Sequence, residues 1–237
     1  MRRRFLTSLN MVVLALAMLT ACAQQPAPVA ETQAPVPVDG IGYLVFRAPI
    51  VSQSRDLFMA GIDRLVAAGA REVRIGITSP GGDIAAAQTM VDYMHRLHAN
   101  EAVTFKVYNL GVVAAAASYV FLNAQERYAK NGSVFLFHPA KLVSNGPITA
   151  PVLREQADKL DAYERVVRSA LKARTRLTDS EALTYVRRTV MLNPDDAQRD
   201  GIIDGIADYT YPKGARMWTV AAPPRQPPPK PGVPTPN

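Results

Sequence analysis

The chain has 237 residues, of which 48% are hydrophobic, enough for one packed domain and at most two. Its formal net charge is +7, but Arg2, Arg3 and Arg4 supply three of those charges, and the rest are interspersed with acids. Aromatic residues make up only 7%, so the basic, aromatic-rich surface that nucleic-acid binding requires is not indicated.

The first segment reads as a targeting signal. "MRRRFLTSLN" carries positive charge, and "MVVLALAML" is an apolar run too short to persist as a membrane span. "LTAC" follows and ends in the only cysteine, Cys22. These four residues resemble the lipobox of bacterial lipoproteins. That resemblance implies removal of residues 1–21, acylation of Cys22 (palmitate-type chains) and export to a membrane. Each buried methylene adds about 0.8 kcal/mol, so several acyl chains would anchor the protein stably. Ala23 stands where an aspartate would signal retention at the inner membrane, which points to the outer membrane and a domain facing the periplasm. A lone cysteine leaves no internal disulfide framework.

Residues 22–39 are rich in Pro, Ala and Gln without apolar period and read as a semi-extended tether. The folded unit is expected over 40–213. In it, "IGYLVFRAPI" alternates like a strand. Leu57, Ile62, Leu65 and Val66 recur at helical spacing before Gly69. "EVRIGITSPGG" is a strand running into a glycine turn. "DIAAAQTMVDYMHRLHAN" is an amphipathic helix opened by Asp83, and "AVTFKVYNLG" is a strand. "AAAASYVFLNA" is a short helix and "GSVFLFHPA" a strand ending on His138. This βα alternation predicts an α/β fold with a mainly parallel sheet. A long helix over 150–176 follows, then a second beginning near Thr178 or Asp179 with Glu181 in its first turn, and "GIIDGIADYTY" gives a final strand. Residues 214–237 are expected to be an unstructured proline-rich tail, because proline removes donors and fixes φ.

The glycine turn "ITSPGGDI" lets backbone N–H groups approach a ligand oxygen without Cβ obstruction, and such a nest can hold an oxyanion. It lacks the spacing and lysine of a phosphate-binding P-loop. Taken with "GVVAAAASYVFL", "RYAKNGSVFLFHPA" and "DDAQRDGIIDGI", it makes the chain resemble the Clp protease proteolytic subunit family, with its ClpP/crotonase fold, over about residues 41–206. The resemblance implies that Gly81 and Gly82 form the oxyanion side of the groove. The N–H after the nucleophile, that of Ala116, completes it, and His138 is the base. It also implies a serine where this chain has Ala115, and an aspartate where it has Thr189. Loss of a triad serine costs on the order of 10⁶ in kcat, so a pseudo-peptidase that binds peptides or protein partners is expected.

Alternatives remain open in the sequence. Ser118 lies one helical turn beyond Ala115 and is a candidate nucleophile for an ATP-independent hydrolase. A crotonase-type acyl site is a third reading. Ser79 and Ser133 read as turn formers. Asp83, Asp195, Asp196 and Asp204 are carboxylates that could orient His138. His95 and His98 form an i, i+3 pair near a helix end, and without a third ligand they make no metal site. No metal or cofactor is expected. The resemblance implies a homo-oligomer, and the long charged helix is expected to serve assembly or to face the anionic membrane surface to which the lipid would tether the domain. An exported protein would meet no ATP-driven unfoldase, so no ATPase partner is expected.

Overall fold

The computed structural model describes residues 34–141 and 146–222. The expected signal segment, Cys22, most of the tether and the chain beyond Ala222 lie outside the described residues.

The elements follow in the order β1 (Ile41–Arg47), α1 (Ser52–Ala67), β2 (Glu72–Ser79), α2 (Ile84–Glu101), β3 (Thr104–Ala114) and α3 (Ala116–Leu122). Then come β4 (Glu126–Ala129), β5 (Val134–Phe137), α4 (Ala150–Arg174), α5 (Asp179–Arg187), β6 (Val190–Leu192), α6 (Pro194–Arg199), β7 (Gly205–Ile206) and β8 (Trp218–Ala221). The sheet runs β6-β5-β3-β2-β1-β8, with β4 and β7 branching from β3. Every pairing is parallel except β5 with β6. The α/β alternation read from the sequence is thus the architecture observed.

Alternation within β1 decides what covers it. Leu44 and Phe46 are wholly buried on the helix side, where Phe46 meets Phe58 of α1 edge-on at 5.9 Å. Asp83 caps α2 by accepting from the Ala86 N–H at 2.6 Å, and Thr178 with Glu181 forms a capping box at the start of α5. Of α4, a strongly charged helix, Tyr163, Val167 and Leu171 are the buried residues, a stripe repeating every four residues along one side.

β3 is long enough to serve two neighbours. Its first half, Lys106–Asn109, pairs with β4, and its second half, Val112–Ala114, pairs with β5. Asn109 sits at this fork with no exposed surface. Its side-chain amide donates to the Val134 carbonyl at 2.9 Å and accepts from the Gly111 N–H at 3.0 Å. A buried polar side chain is tolerated there because it supplies bonds that the diverging strands cannot give each other.

The boundary expected at residue 213 needs correction. "WTVA" forms β8 and extends the sheet past β1, so the ordered fold reaches Ala221. Trp218 and Val220 alternate into the core, and the Trp218 indole N–H donates to the Leu57 carbonyl at 2.9 Å. Gly61 is the hole that admits this ring: a Cβ there would lie 2.1 Å from Trp218. The proline-rich composition on the far side of this short run hid a four-residue strand. β4, β6 and α6 are likewise too short for periodicity to reveal.

Candidate active site

The site forms where β2, β3 and β5 end. β3 passes into α3 through Ala115, which adopts φ 49°, ψ −123°. Few residues with a Cβ accept such a conformation, and it costs on the order of 1–3 kcal/mol. Two neighbours impose it. The Ala115 N–H donates to the Leu136 carbonyl at 2.9 Å, and the Ala115 carbonyl accepts from Ser118 N–H at 2.9 Å. Because β3 and β5 are in parallel register with Ala114 beside Leu136, His138 follows two residues after the residue that grips the elbow.

The glycine turn presses on the same elbow. A Cβ on Gly81, at φ 86°, would fall 2.5 Å from the Ala114 carbonyl oxygen and 2.9 Å from the Ala116 nitrogen. A Cβ on Gly82, at φ 145°, would fall 2.2 Å from the Ile50 carbonyl oxygen. No other residue fits either position. The segment after β1 clamps the turn, with Ile50 N–H donating to Gly81 O at 2.8 Å and Asp83 N–H to Ile50 O at 2.7 Å. The Gly81 N–H donates to Ser79 Oγ at 3.2 Å, so it is spent within the turn. Gly82 and Ala116 are the backbone groups that border the groove. The N–H of a first helical residue has no acceptor within its helix.

The groove has a volume of about 460 Å³ and holds Ala115, Ala116, Gly82 and His138 together. Phe137 and Tyr185 meet at 5.1 Å along it. Tyr163 and Val167 from α4 and Val186 from α5 give it apolar walls. Glu164 and Arg187 cross-link those two helices through an ion pair at 2.8 Å, and Asp161 and Lys141 also line it. Burial raises the Tyr163 phenol well above its ordinary pKa, and burial with a hydrogen bond to Asp200 does the same to Tyr185, so both stay neutral donors.

His138 is half-buried, and its Nδ1 lies 2.8 Å from the Pro139 carbonyl oxygen. The antiparallel register of β5 and β6 pairs Phe137 with Val190. His138 and Thr189 each lie one residue beyond that last pair. Thr189 is exposed. None of the four aspartates considered from the sequence takes its place beside the imidazole. Asp83 caps α2, Asp196 pairs with Arg199 at 2.6 Å, and Asp204 holds the Arg127 backbone N–H at 2.7 Å and its guanidinium at 3.2 Å. Asp195 lies on α6 outside the groove lining.

Ser118 faces away from the groove. It is 1% exposed, and its hydroxyl donates to the Val113 carbonyl at 3.4 Å. Ser79 and Ser133 serve turns, the latter donating to the Lys130 carbonyl at 2.8 Å. His98 Nδ1 lies 2.9 Å from the Val103 carbonyl at the end of α2. Among the described residues no three His, Cys, Asp or Glu side chains gather as a metal site, and no helix is long and apolar enough to cross a membrane. The groove walls escaped the sequence reading. The Tyr163, Val167, Leu171 stripe on an otherwise charged helix was the signal that could have found one of them.

The glycine turn, the strained elbow and a histidine two residues past the elbow's anchor form one constellation. The sequence profile of the Clp protease family matches residues 44–210. The chain belongs to the Clp protease family. Among solved structures, a point mutant of ClpP1 from Listeria monocytogenes is similar with a TM-score of 0.58 and 19% identity, covering 70% of this chain and 91% of that one. At that identity the likeness concerns the ClpP-like fold. No curated protein sequence matches the chain.

Proposed function

We propose that this Clp protease family member is a lipid-anchored, exported protein that binds peptides or extended protein segments in the family groove without cleaving them. One observation carries the loss of cleavage. Ala115 occupies the strained elbow beside His138, and no described residue lining the groove bears an aliphatic hydroxyl or a thiol. A serine-type nucleophile must lie within reach of its base, and none does among the described residues that line the groove. What persists supports binding: two backbone N–H positions, apolar walls from α4 and α5, and a groove able to enclose a few side chains. Ser118, turned toward Val113 in the core, gives little support to a rearranged hydrolase. Anchoring rests on Cys22 and its preceding sequence, with the outer membrane as the destination and the periplasm as the compartment. Self-association through α4 belongs to the same proposal. Val152 and Leu153, 45% and 53% exposed on its N-terminal half, are the apolar side chains it would cover.

The test uses the full chain in detergent. A fluorophosphonate probe should leave it unlabelled, while fluorescent apolar peptides bind and remain intact over hours. Substituting Leu160→Glu, a half-buried residue of α4 in the groove wall, should abolish that binding without unfolding the domain. Labelling of the native chain that disappears with Ser118→Ala would overturn the reading. Cys22→Ser should release the protein from washed membranes.

A further inference from the structure

Donors line the active-site groove with nothing among the described residues to accept from them. The first is the Gly82 N–H. In the parallel bridge between Ile50 and Gly82, the Gly81 carbonyl and the Asp83 N–H make both bonds. The Gly82 N–H therefore points away from Ile50, and no described residue accepts from it. The second is the Tyr163 hydroxyl. Tyr163 is 8% exposed in the groove wall, and its phenol has no hydrogen-bond partner among the described residues. Water-poor walls make an unpartnered donor costly, so a ligand oxygen is favoured there.

His138 is the third. Its Nδ1 lies 2.8 Å from the Pro139 carbonyl oxygen, and a carbonyl only accepts, so Nδ1 carries a proton. Nε2 is left without a partner among the described residues, and alanine at 115 offers it no hydroxyl. A second proton on the ring turns Nε2 into a donor as well. The charges of the groove call for the same ligand. Lys141 and Arg187 balance Asp161 and Glu164, and Glu164 and Arg187 are spent on each other at 2.8 Å. With a neutral imidazole the lining has no net charge; with an imidazolium it has one positive charge.

An internal peptide segment brings one neutral carbonyl oxygen at a time to such a site. A free C-terminus brings two adjacent oxygens and a negative charge, and hydrogen bonds to a charged acceptor are about twice as strong as neutral ones. Backbone nests recur as receptors for terminal carboxylates. A terminal amine would need acceptors, and Asp161 is the one carboxylate of the lining without a printed ion pair or cap among the described residues. Phe137, Val167 and Val186 give the last side chain an apolar wall.

We propose that the groove is a receptor for free peptide C-termini ending in an apolar residue. The terminal carboxylate accepts from the Gly82 N–H and from Nε2 of protonated His138, with the Tyr163 hydroxyl as a further donor. Such capture rests on the groove binding peptides without cleaving them, as proposed above. Binding takes up a proton at His138, so it tightens as pH falls. The titratable groups that share the groove with this ring are Lys141 beyond β5, Asp161, Tyr163 and Glu164 on α4, and Tyr185 and Arg187 on α5.

The test uses the full chain in detergent and one fluorescent apolar pentapeptide ending in leucine, made as the free acid and as the C-terminal amide. At pH 6 the acid should bind about tenfold more tightly than the amide. Its Kd should rise by up to about tenfold per pH unit toward pH 8, whereas the amide's should stay flat. Calorimetry in two buffers of different ionisation enthalpy should show proton uptake with the acid and none with the amide. His138→Gln, which cannot take up the proton, should bring the acid down to the amide's affinity. Equal affinities of acid and amide in the native chain, or a preference that His138→Gln leaves intact, would overturn the carboxylate receptor while peptide binding stands. Failure of both peptides to bind would overturn the receptor together with the reading it rests on.

Discussion

Asn109 and Ala115 lie six residues apart, at the fork and at the end of β3. Asn109 is a polar side chain that satisfies its surroundings, bonded to both Val134 and Gly111. Ala115 is an apolar side chain on a backbone bent as though something reactive stood there. The fork is held by side-chain atoms, so its chemistry and its geometry are inseparable. The elbow is held by backbone bonds to Leu136 and Ser118 and by contact with Gly81, none of which needs the side chain at 115. A nucleophile can therefore be lost while the structure that strained it persists.

The largest expected effect comes from restoring what the elbow lacks. In a serine triad the nucleophile and the base are each worth on the order of 10⁶ in kcat, and the aspartate about 3 × 10⁴. Ala115→Ser alone should therefore raise fluorophosphonate labelling only about 10²-fold, limited by the missing carboxylate. Adding Thr189→Asp should contribute about 10⁴-fold more, because Thr189 and His138 each lie one residue beyond the last β5–β6 pair, Phe137 with Val190. If the second substitution adds nothing, the carboxylate does not reach the imidazole, and Thr189 is not the vacated position.

The residues in that experiment were legible from the sequence, and the reason is physical. Gly81, Gly82, Ala115 and His138 belong to short motifs whose spacing is fixed by local backbone geometry. Thr189 was located by counting from Gly201, and only the β5–β6 pairing gives it spatial meaning. The groove walls were not legible, because Tyr163, Tyr185 and Arg187 come from helices whose approach to Phe137 is settled by tertiary packing. The packing of Ser118 inside the helix was expected from its place one turn deeper than Ala115, but the acceptor of its hydroxyl was not. Helical spacing puts it on the face of Ala115 but says nothing of which way the helix rolls against Val113.

Next in size are the two structural supports. Gly81→Ala should cost at least about 3 kcal/mol in urea unfolding, since a Cβ would overlap the Ala114 carbonyl at 2.5 Å and φ is 86°. Asn109→Leu should cost about 2–4 kcal/mol, because the Val134 carbonyl and Gly111 N–H lose their partners inside the core. The two should differ in kind. Gly81→Ala in the Ala115→Ser background should abolish the regained labelling, whereas Asn109→Leu should lower stability and leave labelling of the folded fraction intact. A smaller change has the opposite sign. Ala115→Gly should stabilise the domain by about 1 kcal/mol, the relief of strain exceeding glycine's entropic cost. A loss of stability would mean that the elbow is not strained.

The smallest effect belongs to the fork's outer strand and has no counterpart at the elbow. Tyr128 of β4 donates to Glu126 at 2.7 Å and stacks on Tyr108 at 5.0 Å. Its hydrogen bond to Glu126, with burial second, pushes its pKa from 10.0 up to about 12. The phenol holds its proton more tightly folded than unfolded. Its contribution to stability is therefore complete below about pH 10 and disappears as pH rises through 12. Lys106, bonded to Glu126 at 3.0 Å and Glu72 at 3.2 Å, keeps its proton in the fold although burial opposes it, and so adds to the same alkaline loss. Tyr128→Phe should flatten the fall in stability across this window by less than one linked proton and should cost about 0.5–1 kcal/mol at pH 7, where the hydrogen bond to Glu126 is intact in the native chain. The same alkaline titration of Ala115→Ser should follow the native curve, because the serine hydroxyl does not titrate there. A parallel shift in both variants would mean that alkaline unfolding begins elsewhere in the domain, and that the ion pairs across β2, β3 and β4 are not what the fork depends on.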